Sequence, residues 1–192
     1  MEEIKLRMTV LDAFLSGQSS AIFVPTTVET TCLQLRKILE LIAFASLVAN
    51  EKSYSSAYRD FAKHWNAGEL LKSLSLINSE FYPVPVVELP SDQPGVKHQL
   101  KERDPDYLTR ERFVELYGRC GVIMHAANPF GRGINYEFYK ANLPLWRQQI
   151  INLLNNHQIR LKDSHEFYLI HMKEERDEKV HFYKFERQDP LL

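Results

Sequence analysis

The sequence predicts a mainly α fold: a helical bundle interrupted by a proline-rich insertion at residues 80–106 and closed by a C-terminal β-hairpin. Three observations carry this expectation. Apolar residues recur at helical spacing from residue 2 to about residue 156, apart from the insertion. Pro83, Pro85, Pro90, Pro94, Gly95 and Pro105 forbid a long helix between Phe81 and Asp106. After Asn156 the apolar period switches to alternation, as in strands. The chain then divides into an N-terminal helix and connector (1–26), a helical bundle (27–157) and a hairpin extension (158–192).

Taken in order, Ile4, Met8, Leu11, Phe14 and Leu15 mark a first helix, with Gly17 as its stop. Ala21 to Val24 is a short apolar connector ended by Pro25. Thr26 or Thr27 caps the strongest helix, Val28 to about Asn50, which is apolar almost all round and therefore central to the bundle. Arg36 and Glu40 interrupt it at i,i+4 spacing, either as an intrahelical ion pair or as a pair facing the helix that carries Arg119. Tyr54 to Trp65 is a more polar amphipathic piece, and Asn66 caps another from Ala67 to Ile77. Val84, Val86, Val87 and Leu89 suggest an extended stretch within the insertion. A further helix starts at Thr109, with Glu111 and Glu115 near its positive end, and runs to Asn128-Pro129. After a Gly-rich turn, Asn135 or Tyr136 opens the last helix, which reaches about Asn156 with Pro144 as a kink or break. His165–Met172 and Lys179–Glu186 form the terminal hairpin, which must pack on the bundle because an isolated pair of strands is barely stable.

A chain of 192 residues is long enough for a single well-buried core. Its net charge of −1 leaves no overall electrostatic footprint for nucleic acid, so any such contact is a local patch. Cys32 and Cys120 both lie in apolar helical segments and read as buried thiols in a reducing compartment. The start of the chain is acidic and amphipathic, unlike a signal peptide, and the apolar run from Ile38 to Ala49 falls short of the roughly 20 residues of a membrane span. A cytoplasmic protein without membrane contact, metal or cofactor is expected. P-loop, GxSxG, HExxH and paired CxxC patterns are all absent from the sequence.

The chemistry concentrates in residues 117–130, YGRCGVIMHAANPF. Arg119 and His125 lie six positions apart, separated by apolar or small residues. Carrying a permanent cation and a side chain of the kind that titrates near neutrality among apolar neighbours costs free energy unless they are paired or used. An arginine followed by a histidine at such spacing also occurs at Arg59/His64, Arg160/His165 and Arg176/His181, but only Arg119/His125 sits among apolar residues on a helix that ends abruptly. Six residues of ideal helix advance about 9 Å and leave the side chains roughly 120° apart, so two copies meeting across a two-fold axis would clamp a substrate better than one. Gly118 and Gly121 would allow that close approach.

The Arg119-x5-His125 segment, preceded by an apolar helix bearing Arg36 and Glu40, resembles the HEPN superfamily (higher eukaryotes and prokaryotes nucleotide-binding domains) over residues 27 to 157. The resemblance implies a dimeric helical bundle whose Arg and His line a shared cleft. It also implies metal-independent endoribonuclease activity in toxin–antitoxin, anti-phage or RNA-processing settings, with RNA as substrate and an antitoxin or regulatory protein as partner. His125 would handle the proton of the 2'-hydroxyl or of the leaving oxygen, and Arg119 the charge of the scissile phosphate. Asn128, Glu40 and Arg36 would be auxiliary. Where many catalytic members carry a polar residue after the arginine, this chain has Cys120. The plain alternative is an ion-pair network, Arg119 with Glu115 or Glu40 and His125 with a backbone carbonyl. Two further classes stand beside it: a non-catalytic nucleotide-binding domain, and a protein-interaction module using the insertion.

Overall fold

The computed structural model describes residues 1–49, 66–103, 106–161 and 165–186. Its helices are α1 (Glu2–Leu15), α2 (Val24–Ala49), α3 (Ala67–Ile77), α4 (Arg110–Val122) and α5 (Tyr136–Leu154). Its strands are β1 (Val84–Pro90), β2 (His98–Glu102), β3 (Asn156–Arg160), β4 (Glu166–His171) and β5 (His181–Glu186). The expected amphipathic piece at Tyr54–Trp65 lies outside the described residues.

Helix α2 is the hub, packing against α1, α3, α4 and α5. Val28, Cys32, Leu35, Ile38, Leu39, Ile42 and Ala43 form its buried face, while Leu33, Phe44 and Val48 remain exposed. It begins earlier than its threonines suggested, because Pro25 fits the first turn, where no N–H is needed. Asn66 caps α3 as expected, its side-chain oxygen accepting from the N–H groups of Gly68 (2.9 Å) and Glu69 (3.3 Å). Asn66→Ala should therefore cost about 1 kcal/mol of stability, read as a lowered urea midpoint with unchanged slope. Thr109 and Asn135 cap α4 and α5 in the same way. Helix α5 continues through Pro144 rather than breaking there.

The five strands form one antiparallel sheet, ordered β2-β1-β3-β4-β5. This corrects the mainly α expectation: the fold is α+β, with five helices and a five-stranded sheet among the described residues. The proline-rich insertion supplies two of the strands, and these join the C-terminal ones through Val84↔Gln158 and Pro85↔His157. Prolines do not prevent this because of where they fall. Pro90 ends β1. The Pro85 carbonyl accepts from Arg103, so its missing N–H points to a place just past the end of β2. The C-terminal hairpin is therefore the edge of a larger sheet.

Sheet and helices share anchors. Helix α5 runs almost directly into β3, and Asn78 donates from its side chain to the Arg160 carbonyl (3.1 Å). The Tyr82 hydroxyl donates to the Leu108 carbonyl (2.8 Å), and Leu108 N–H to the Gln149 carbonyl (3.0 Å). Glu2 accepts from Val180 N–H, tying α1 to the approach to β5. Arg147 on α5 pairs with Asp12 on α1.

Candidate functional site

Three helix ends meet at one pole of the molecule. The Tyr136 hydroxyl donates to Glu29 (2.7 Å), which places the start of α5 beside the first turns of α2. The Tyr139 hydroxyl, in the first turn of α5, donates to the Arg119 carbonyl, which brings the last turn of α4 to the same place. Arg36, midway along α2, reaches Tyr117 and comes against Gly121. The loop 123–135 emerges from this pole and carries His125 and Asn128.

Helix α4 stops at Val122, well before the expected Asn128-Pro129. Gly118 and Gly121 weaken its last turn, each by about 1 kcal/mol relative to alanine. The N–H groups of Met124 and His125 bond back three residues, to Gly121 (3.2 Å) and Val122 (3.3 Å), the tighter turn that closes many helices. His125 thus leaves the helical trajectory, and the 120° offset of an ideal helix no longer describes its bearing relative to Arg119.

Arg119 lies in the last turn of α4 with its side chain 41% exposed. Glu115 Oε1 accepts from its Nε (3.0 Å) and Nη2 (2.7 Å). The Phe138 ring lies beneath the guanidinium, 4.9 Å from Cζ. The backbone is pinned as well, since the Tyr139 hydroxyl donates to the Arg119 carbonyl (2.9 Å). Nη1 has no protein partner among the described residues. His125 is exposed, and its imidazole has no hydrogen-bond partner among the described residues. The expected apolar enclosure of this pair is therefore not what the fold provides, because both face water.

Arg36 and Glu40 combine both readings given by their spacing. They pair along α2 at 3.4 Å, and both engage α4 through Tyr117. Arg36 Nη2 donates to the Tyr117 hydroxyl (2.7 Å), that hydroxyl donates to Glu40 (3.3 Å), and the guanidinium stacks 4.0 Å from the ring centre. Burial pushes the Tyr117 pKa upward. A Cβ on Gly121 would come within 3.0 Å of Arg36 Nη1, so this glycine makes room for the arginine. Gly118, by contrast, faces open space. The Arg36–Tyr117–Glu40 cluster thus holds α4 against α2, while the ion pair of Arg119 is made with Glu115.

Asn128 is exposed and organises its own turn. Its side-chain oxygen accepts from Phe130 N–H (3.0 Å) and its carbonyl from Gly131 N–H (2.9 Å). That turn leaves Phe130 98% exposed, with Arg132 exposed beyond it. Sequence reasoning missed Tyr117, Phe138, Tyr139 and Phe130. Of these Tyr117, two positions before Arg119, and Phe130, two positions after Asn128, offered a local signal.

A second cluster of titratable groups lies on the sheet. His171 sits with Nδ1 2.5 Å from Glu174 and Nε2 2.5 Å from Glu88, the latter without hydrogen-bond alignment. The Tyr183 hydroxyl also donates to Glu174 (2.8 Å). Hydrogen bonds from His171 and then Tyr183 hold the Glu174 carboxyl below the usual range. Arg176 donates to His181 Nδ1 (2.9 Å), so that sequence pair does meet, as part of the β4–β5 turn.

Among the described residues no three His, Cys, Asp or Glu side chains converge to hold a metal ion, and no helix is long and apolar enough to cross a membrane. Compared with known proteins, the chain matches no family model, no curated protein and no solved structure.

Proposed function

We propose that the chain is a metal-independent endoribonuclease of HEPN type that cleaves RNA at Arg119 and His125. The observation that carries this reading is that an open guanidinium edge in the last turn of α4 and an uncommitted imidazole three residues past that helix's end are both exposed. Phe138, Glu115 and Tyr139 orient the arginine, so its free Nη1 edge is presented rather than left to wander.

The 2'-oxygen attacks phosphorus and the bond from phosphorus to the 5'-oxygen breaks, leaving a 2',3'-cyclic phosphate and a 5'-hydroxyl. One proton leaves the 2'-hydroxyl and one reaches the 5'-oxygen. His125 carries one of these transfers and water the other. Arg119 offsets the charge that grows on the phosphoryl oxygens, a task suited to a planar cation. The exposed ring of Phe130 offers a nucleobase a stacking surface on the same loop as His125. The setting is a toxin–antitoxin, defence or RNA-processing system in the cytoplasm, in keeping with the free thiols Cys32 and Cys120.

The test is cleavage of RNA by the purified chain in EDTA. His125→Ala should lower the rate by about 10²–10⁴-fold with an unchanged circular dichroism spectrum. Cleavage that survives this substitution removes His125 from the reaction. One observation favours a second reading: Glu115 neutralises Arg119, as suits a site that binds nucleotide or RNA without cutting it. RNA binding that depends on Arg119, without any product, would establish that alternative.

A further inference from the structure

Among the described elements, strand β2 is exposed at every residue, His98 to Glu102, and it forms one edge of the sheet. Its orientation is set by the bond from Arg103 N–H to the Pro85 carbonyl (2.9 Å). In an antiparallel ladder, backbone groups of alternate residues point to the same side. Lys101 and Gln99 therefore bond to β1 along with Arg103, while His98, Leu100 and Glu102 present their N–H and C=O groups outward. Proline at position 90 fits this phase, since it stands opposite His98, where no bond to β1 is required. An exposed strand edge of this kind is a template for another strand.

The order of side chains identifies that strand. When β2 is turned about a two-fold axis through Leu100, Leu100 faces its own copy and His98 faces Glu102 at both ends. Each contact then sets an imidazole against a carboxylate, on the same side of the sheet as the leucines. On the other side Gln99 faces Lys101, without like-charge conflict. The neighbouring antiparallel registers, centred on His98 or on Glu102, set histidine against histidine or carboxylate against carboxylate, an unfavourable match. The self-complementary register also satisfies the three outward residues in each copy, with about six backbone hydrogen bonds across the axis.

We propose that β2 pairs with β2 of a second copy of this chain, joining the two five-stranded sheets into one continuous sheet. The β1–β2 arm, built from the proline-rich insertion, is then the dimerisation arm. Leu100 and Glu102 also form the outer wall of a groove of about 530 Å³ across the sheet, bordered by Val86, Arg160 and Phe167. Pairing places the second copy's His98 and Leu100 along that wall. The proposal does not depend on RNA cleavage at Arg119 and His125.

Light scattering coupled to size exclusion, run on the full chain across a dilution series, provides the test. The chain should be a dimer. Leu100→Pro should be a monomer with its fold intact, because the N–H it removes points away from β1. Glu102→Lys should weaken the dimer by at least tenfold, and adding His98→Glu to it should restore pairing, since the swapped charges again face each other. A monomeric natural chain overturns the proposal. So does a dimer indifferent to both Leu100→Pro and Glu102→Lys, which would have to form through another surface. Loss of pairing in Glu102→Lys without recovery in the double variant overturns the register.

Discussion

Arg119→Ala is expected to lower RNA cleavage by about 10²–10³-fold, the usual loss when a preorganised donor to a developing oxyanion is removed. Its effect on stability should stay within about 1 kcal/mol, because the contacts it loses are an exposed ion pair and one ring contact. Glu115→Gln separates a chemical role from a structural one. If Arg119 exists to pair with Glu115, either substitution breaks the same contact and the two variants behave alike. If Arg119 meets phosphate, Glu115 competes for it, and Glu115→Gln keeps or raises activity, by about twofold given the few tenths of a kcal/mol that an i,i+4 pair is worth. Arg119→Lys should recover little, since a point charge cannot reproduce the planar fork held over Phe138. Equal losses in Arg119→Ala and Glu115→Gln would assign Arg119 to the architecture of α4.

The second large effect is acid instability centred on His157. This residue is fully buried on β3, its Nδ1–H donating to the Leu154 carbonyl at the end of α5 (2.8 Å), and its Nε2 has no partner among the described residues. Burial, opposed by the Leu154 carbonyl and reinforced by nearby His171, lowers its pKa from the ordinary 6.5 to about 4. Between those values the unfolded chain takes up a proton that the folded chain refuses. Stability therefore rises with pH across this window and is lost as pH falls through it, by about 3 kcal/mol in all. Well above pH 6.5 the histidine is neutral in both states and the effect vanishes. His157→Asn keeps a donor for Leu154 and removes the titration. Urea melts at pH 7 and pH 4 should then show a smaller acid penalty in the variant than in the natural chain. Carboxylates held below their usual range, such as Glu174 and Asp177, add acid sensitivity common to both proteins. An equal penalty in both would clear His157 of the effect.

The helical half of this fold was legible because its signals are local. Asn66, Thr109 and Asn135 each announce a helix start through a side chain that caps its own backbone, and Gly17 ends α1 in the left-handed conformation (φ 78°) that glycine tolerates. The sheet was not legible, because its defining contacts are remote. Nothing near Val84 indicates that it pairs with Gln158, and its flanking prolines point away from strand structure until the direction of each missing N–H is known. The end of α4 was misplaced for a related reason. The proline at 129 is a stronger stop on paper than Gly118 and Gly121, yet the helix yields at the weaker signals, where Gly121 also gives space to Arg36. At the site, Arg119, His125, Arg36 and Glu40 were visible as polar side chains among apolar neighbours. Their division into an outward pair and an inward cluster was not, since it depends on Tyr117, Phe138 and Tyr139 arriving from two helices.

Cleavage at Arg119 and His125 leaves a signature in the ends of the RNA it cuts. A short RNA with a single defined scissile site, incubated with the chain in EDTA and resolved by mass spectrometry, should yield a 2',3'-cyclic phosphate on the upstream fragment and a 5'-hydroxyl on the downstream one. Fragments ending in a 3'-hydroxyl and a 5'-phosphate, or intact RNA after prolonged incubation with correctly folded protein, would contradict the assignment of Arg119 and His125 to this reaction.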